Sequence, residues 1–503
     1  MKAYLMRGSI LVGVLGVAWG ASVALGQEAP PPPPEPGAAG GAAGSGMDVL
    51  TRGPIHEAFA QPVNTGNVQP MVVPQKPPDP IEELPPDAKP EDPRATWISG
   101  YWSWADDRKD FLWVSGVWRV PPPTTQWVAG YWNAAPGGYQ WTAGFWSPAA
   151  QQQVTYYPPP PASQELGPTS ALPGANYFWI PGSWVWQGDR YAWRPGYWAP
   201  AREGWVWVPA SYYSSPAGWV YCNGYWDYPL ATRGVMFAPV YFTPDYYRRP
   251  GFVYSPGVVI DSGLLTFGLF VRPNYGHYYY GDYYGVEYDH LGIYPWFGVN
   301  RYHAYAYDPL FTYYGCYYRE RDPHWVAHLE GWHEYYRGHP DLRPPHTLAA
   351  QMRLNVEFGN RPDRAFLTVG VNLDTYRRNP HGPVRLVEVS PAERARLHEE
   401  VHASREIQSR RFETEARSGH AGMTGPRQLS VARAPLAAAA GHPGEHGAGA
   451  LAPGHREEAF APHPEAKLAP HPEAKTVPPR AAPTKLVPGK PAPGKAKPDR
   501  ERG

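Results

Sequence analysis

The 503-residue chain has only two cysteines, Cys222 and Cys316. Two thiols cannot build a disulfide framework, and sequence alone leaves open whether they form one bridge, because the Cα separation decides that. Net charge is also lacking: 45 Lys and Arg balance 45 Asp and Glu. No global field directs the chain to nucleic acid or an anionic surface, so no specific nucleic-acid partner is expected. Catalytic signatures are missing too. There is no phosphate-binding glycine loop and no nucleophile elbow, so neither a cofactor nor an enzymatic activity is expected. Beyond the N-terminus the apolar run Leu264–Val271 is short, and nearby Asp261 and two glycines argue against a membrane span in the mature chain.

The N-terminus is organised differently. Lys2 and Arg7 precede an apolar stretch from Ser9 to Trp19, and Ala24-Leu25-Gly26 places small residues where a signal peptidase reads. Residues 1–26 are therefore expected to be a signal peptide. The protein would be exported to the periplasm or cell surface, and no cysteine follows the apolar stretch to serve as a lipid anchor there.

Proline, glycine and aromatic residues are abundant: 64 Pro, 53 Gly, 22 Trp and 36 Tyr. Proline and glycine concentrate at the two ends. Residues 27–94 are expected to be a disordered Pro-rich spacer and residues 418–503, with PHPEAK twice, a disordered Pro/Ala/Lys/His tail.

Tryptophan recurs between them as W-x-x-G-x-W. The copies are WISGYW from Trp97 to Trp102, WVSGVW from Trp113 to Trp118, WVAGYW from Trp127 to Trp132 and WTAGFW from Trp141 to Trp146. WIPGSW from Trp179 to Trp184 and WRPGYW from Trp193 to Trp198 follow. Two degenerate copies end the series: WVPASY from Trp207, with Ala210 at the glycine position, and YCNGYW from Tyr221 to Trp226. Starts are spaced 16, 14, 14, 38, 14, 14 and 14 residues apart. The array spans 95–230, with an inserted loop at 149–175.

These units resemble the YXWGXW (WXXGXW) repeat family of exported bacterial proteins, which Tyr191-Ala-Trp193-Arg-Pro-Gly196-Tyr-Trp198 matches closely. The later segments RPNYGHYYYGDYYG and YRERDPHWVAHLEGW resemble larger members that add a Tyr-rich region. The resemblance implies an envelope context and carries over no activity and no catalytic residue.

In Tyr139-Gln-Trp141-Thr-Ala-Gly144-Phe-Trp146, Tyr139 and Trp141 share one strand face, while Trp146 lies an odd number of residues on. A bulge or turn at Gly144 would reset that parity. The corresponding positions are Gly100, Gly116, Gly130, Gly182, Gly196 and Gly224, and Pro before Gly182 and Gly196 favours a type II turn. The spacing predicts hairpin or meander units of short strands that need stacked neighbours to persist. The tryptophans are then either shared core or exposed platforms for sugar rings.

Residues 231–345 hold a Tyr-rich region of strands and loops, read either as packed interior or as an adhesive surface. It ends in a short helix capped by Asp322 with Pro323 at its first turn, stopping at Gly338. His324 and His328 have a spacing that could bind metal, with His333 nearby, but Arg337 stands where a zinc-peptidase motif starting at His333 needs its second histidine. A solvated polar face is the expectation, with no metal assigned. Residues 346–417 are read as a small β segment, with strands at Asn355–Phe358, Ala365–Val371 and Val384–Val389, then a charged helix that Ser390, Pro391 and Glu393 begin. Its apolar stripe of Leu397, Val401 and Ile407 is thin.

The expected fold is mainly β: an array of aromatic hairpin or meander repeats, a Tyr-rich β/loop region, one short helix, a small β segment and a charged helix, between disordered ends. The expected role is that of an exported envelope or surface protein, structural or interactive. The alternative is a carbohydrate- or peptidoglycan-binding module. Its partners would be envelope glycan or other envelope proteins.

Overall fold

A computed structural model describes residues 46–63, 70–151, 153–298, 307–358, 367–379 and 382–431. The predicted signal peptide and most of the C-terminal tail lie outside the described residues. The described chain is mainly β, built from short strands in small sheets that are antiparallel apart from one pairing, Val253–Tyr254 beside Glu82–Glu83.

Two consecutive repeats make one long hairpin. Each copy contributes two strands, and the x-x-G stretch interrupts them. Thr96–Ile98 and Tyr101–Ala105 run out, and Asp110–Val114 and Val117–Arg119 run back. The turn therefore falls between copies, at Asp106–Lys109, and not at the glycine. The register joins the first Trp of one copy to the second Trp of the next: Trp97 with Trp118 and Trp102 with Trp113. The second hairpin repeats this with Trp127 opposite Trp146 and Trp132 opposite Trp141. The third pairs Trp179 with Trp198 and Trp184 with Trp193. The fourth pairs Trp207 with Trp226 and Tyr212 with Tyr221.

The hairpins differ in what joins them. The inner strands of the first enter a four-stranded sheet with Val240–Phe242 and Met47–Val49, and its outer strands enter a five-stranded sheet with Gly234–Phe237, Val258–Ile260 and Gly370–Asn372. Both halves of the third remain two-stranded. Buried Arg119 of the first hairpin donates to both oxygens of Asp227 in the fourth, at 2.6 and 2.7 Å, and Arg233 lies 3.3 Å from the same carboxylate.

Several expectations are corrected. Much of the 27–94 stretch is not a spacer: Ile55, Phe59, Val73 and Ile81 are buried, as are Arg52, His56, Glu57 and Glu83. Its average composition conceals a few anchors, of which Glu57 and Glu83 are matched to the repeats and Arg52 to the Tyr-rich region. The start of the tail is also ordered, since Arg427–Leu429 pairs with Val154–Tyr156 of the inserted loop. Asn355–Phe358 belongs to a helix, Leu348–Phe358. The Tyr-rich region holds a helix that went unpredicted, Pro309–Tyr318, with Asp308 accepting from Phe311 N at 2.8 Å. The next helix starts at Trp325, and Asp322 accepts from His324 N at 3.1 Å.

Many of the tyrosines described there are interior. Tyr278, Tyr280 and Tyr284 are fully buried, and Tyr278 donates to Asp308 at 2.7 Å. Burial pushes the Asp308 carboxyl up to about 6. The charged helix runs Pro391–Ser418, with Ser390 accepting from Glu393 N at 3.2 Å. It docks through an ion pair as well as its apolar stripe. Arg411 and Glu415 are buried and joined at 2.8 Å, and Tyr131 and Tyr156 donate to Glu415 at 2.5 and 2.6 Å. Among the described residues no helix is long and apolar enough to cross a membrane.

Candidate functional site

The cross-strand indoles meet edge to face or tilted, with ring centres 5.3 Å apart for Trp102 and Trp113, 5.1 Å for Trp127 and Trp146, and 5.3 Å for Trp184 and Trp193. These are the favoured aromatic geometries. Trp102, Trp113, Trp118, Trp141 and Trp146 are buried, whereas Trp97, Trp127, Trp132, Trp179, Trp184, Trp193, Trp198, Trp207 and Trp226 are half-buried.

The repeat glycines serve a different purpose from the predicted one. None of Gly100, Gly116, Gly130, Gly144, Gly182, Gly196 and Gly224 has the positive φ that a type II turn demands at that position. They are glycine because an indole occupies the space. A Cβ on Gly116 would lie 2.5 Å from Trp97 Cζ2, and one on Gly144 would lie 2.3 Å from Trp127 Cζ2. The contact is reciprocal, since each glycine receives the first Trp of the opposite copy. The fourth hairpin shows this coupling within one molecule. Ala210 stands at a glycine position and the opposing Trp position holds Tyr221, while Gly224 and Trp207 are retained together at 2.5 Å.

Each of the first three hairpins closes on a glutamate from outside the repeats. Glu83 accepts from Trp113 Nε1 at 3.0 Å, Gly116 N at 3.0 Å and Gly100 N at 2.7 Å. Glu57 accepts from Trp141 Nε1 and Gly144 N, both at 3.0 Å. Glu165, in the inserted loop, accepts from Trp179 Nε1 at 3.0 Å and from Gly182 N. The glycine amides are reachable because no side chain shields them. Burial pushes the Glu57 carboxyl up to about 7, although the Trp141 indole, the Gly144 and Gly130 amides and Arg411 pull it down. Glu83 is raised for the same reason. In the fourth hairpin Trp207 Nε1 is buried without a hydrogen-bond partner among the described residues, and so is Trp97 Nε1 in the first.

The third hairpin carries aromatic rings at the surface. Trp184, Trp186, Tyr191 and Trp193 are half-buried, and Tyr197 is 51% exposed. The inserted loop tethers them from one side: Trp184 Nε1 donates to Ala162 O at 2.9 Å and the Tyr191 hydroxyl to Pro158 O at 2.6 Å. Exposed Arg190 and Arg194 flank the rings. Rigid rings beside polar groups can stack on a sugar and hydrogen-bond its hydroxyls.

The considered histidine cluster is divided. His324 and His328 are exposed, and His328 Nδ1 lies 3.0 Å from Asp322 Oδ2. His333 is buried on the other side of the helix, beside Phe270 and Tyr284. The two cysteines are free: Cys222 packs with Val128 and Phe145, and Cys316 lies in a separate cluster with Phe178 and Tyr307.

Sequence reasoning missed one constellation. Glu82, His398 and His402 place one ligand atom each within 4.8 Å of one another. Its signal was present as His398-Glu399-Glu400-Val401-His402, two histidines a helical turn apart in a helix already predicted.

With this geometry established, the comparison with known families gives a specific match. The family described as WXXGXW repeat (2 copies) matches residues 96–119, 174–199 and 191–211. The chain carries WXXGXW repeats. The first two matched stretches coincide with the first and third hairpins, and the third joins the return strands of the third hairpin to the outgoing strands of the fourth. No curated protein and no solved structure matches the chain.

Proposed function

We propose that this WXXGXW-repeat protein is an exported cell-envelope or surface protein with a structural and interactive, non-enzymatic role. The supporting observation is the glutamate lock. Glu57, Glu83 and Glu165 each brace one aromatic hairpin, which uses the tryptophans for architecture. The N-terminal sequence supports export. Expressing the full chain and fractionating the cells tests it: envelope recovery with residues 1–26 removed is expected, and cytoplasmic retention of the intact chain refutes it.

A second reading is favoured by one specific observation, the half-exposed aromatics of the third hairpin. In it the third hairpin binds envelope glycan while the first and second remain core. A peptidoglycan or polysaccharide pull-down checks it. Trp186→Ala should reduce retention at unchanged melting temperature, whereas Trp118→Ala should unfold the protein. Retention unchanged by Trp186→Ala and Tyr197→Ala together removes the glycan reading.

A further inference from the structure

We propose that Glu82, His398 and His402 form a divalent transition-metal site of the zinc class, joining the long helix Pro391–Ser418 to the strand that locks the first hairpin. Each of the three residues offers one ligand atom, and these atoms lie within 4.8 Å of one another; Glu82 Oε1 is 3.2 Å from His402 Nε2 and 3.5 Å from His398 Nδ1. A tetrahedral zinc bonded at ~2.0–2.1 Å requires ligand atoms roughly 3.3 Å apart. Two imidazoles and a carboxylate supply the nitrogen and oxygen donors such an ion takes.

A second observation points to a cation. Glu82 Oε1 and His398 Nδ1 are both shielded from solvent and neither makes a hydrogen bond, although the two face each other. A shared cation would satisfy both. The other carboxylate oxygen is held separately, with Arg405 Nη1 donating to Glu82 Oε2 at 2.7 Å. That bond orients the carboxylate and leaves Oε1 for the metal, the part an outer-shell partner plays.

Helical geometry explains the histidine pair, because residues four apart lie one above the other on one face. The adjoining Leu397 and Val401 are buried and seat that stretch of helix on the body. Glu82 is the neighbour of Glu83 in a two-residue strand, so their side chains diverge: Glu83 goes to the indole and glycines of the first hairpin, and Glu82 to the helix. The metal is therefore assigned to holding the helix against the body, with its fourth position taken by water.

The test is metal titration of the purified full chain with Zn²⁺, with Co²⁺ as a spectroscopic probe. The wild type should bind one equivalent tightly, show the intense visible absorption of tetrahedral cobalt, and melt at higher temperature with zinc than without. His398→Ala and His402→Ala should each lose this absorption and the zinc-dependent shift, with affinity falling about tenfold or more. Glu82→Gln should weaken binding while leaving the metal-free far-ultraviolet spectrum unchanged. Because the chain has 18 histidines, binding elsewhere is distinguished by a double variant, His324→Ala with His328→Ala, which should behave as wild type. Absence of a tight equivalent, or equal binding by the His398 and His402 variants, overturns the proposal.

Discussion

The first and third hairpins are built from the same motif in the same register, with a glutamate on an indole and a glycine amide in both. Yet the first has three of its four repeat tryptophans buried, and the third has none. The motif thus specifies a hairpin and its internal lock. Burial is decided by what pairs with the strand edges. Segments far away in sequence extend the first hairpin into two sheets, whereas the third has no further strands and is approached from one side by the inserted loop. One repeat can therefore supply core in one place and a surface in another.

The comparison breaks most sharply at the glutamates. Glu83→Ala should cost about 3 kcal/mol or more, because buried Trp113 and two glycine amides lose their acceptor together. Glu165→Ala, beside a half-exposed indole, should cost roughly 1 kcal/mol. Urea unfolding of both variants checks the ranking, and equal losses would remove the distinction. Gly144→Ala should follow at about 1–3 kcal/mol, since its Cβ would meet Trp127 and Glu57 inside a packed region. Smaller still is the coupling in the fourth hairpin. Tyr221→Trp should destabilise against Ala210, and Ala210→Gly should rescue it, with a coupling energy of about 1 kcal/mol in a double-mutant cycle.

The last effect concerns pH. Burial lowers His56 and His277 from 6.5 to about 4, so between those values the unfolded chain binds protons that the folded chain refuses. Their contribution to stability grows as pH rises through that window and is lost on acidification. Glu57 acts oppositely. Folded, it keeps its proton up to about 7, while the unfolded chain releases it near 4.5, so its contribution falls as pH rises between them. Glu57→Gln should therefore steepen the rise of melting temperature with pH between about 4.5 and 6.5, as read by calorimetry across buffers.

The strand content and the repeat boundaries were legible because Trp and Gly recur at fixed spacing, whereas the register and the turn between copies were not. Nor was the role of the glycines. Gly144 reads equally as a flexible corner or as vacant space, and only the indole of Trp127 distinguishes them. Glu57 and Glu83 were hidden because a buried carboxylate in a proline-rich stretch has no periodicity to betray it. Asp308-Pro309 carried the same helix-start signal that was recognised at Asp322-Pro323, but neighbouring Tyr pairs and glycine favoured a strand reading. Arg411 and Glu415 looked like one more surface pair on a charged helix. Their burial depends on Tyr131 and Tyr156, residues more than 250 positions away.

The acceptors that close the first two hairpins precede every tryptophan they hold. A fragment cut at the visible borders of the array, residues 95–230, would carry its aromatic rings intact but leave Glu57 and Glu83 behind. Anyone dissecting this protein should begin upstream of Met47, where the clasp is threaded before the fabric it fastens has been made.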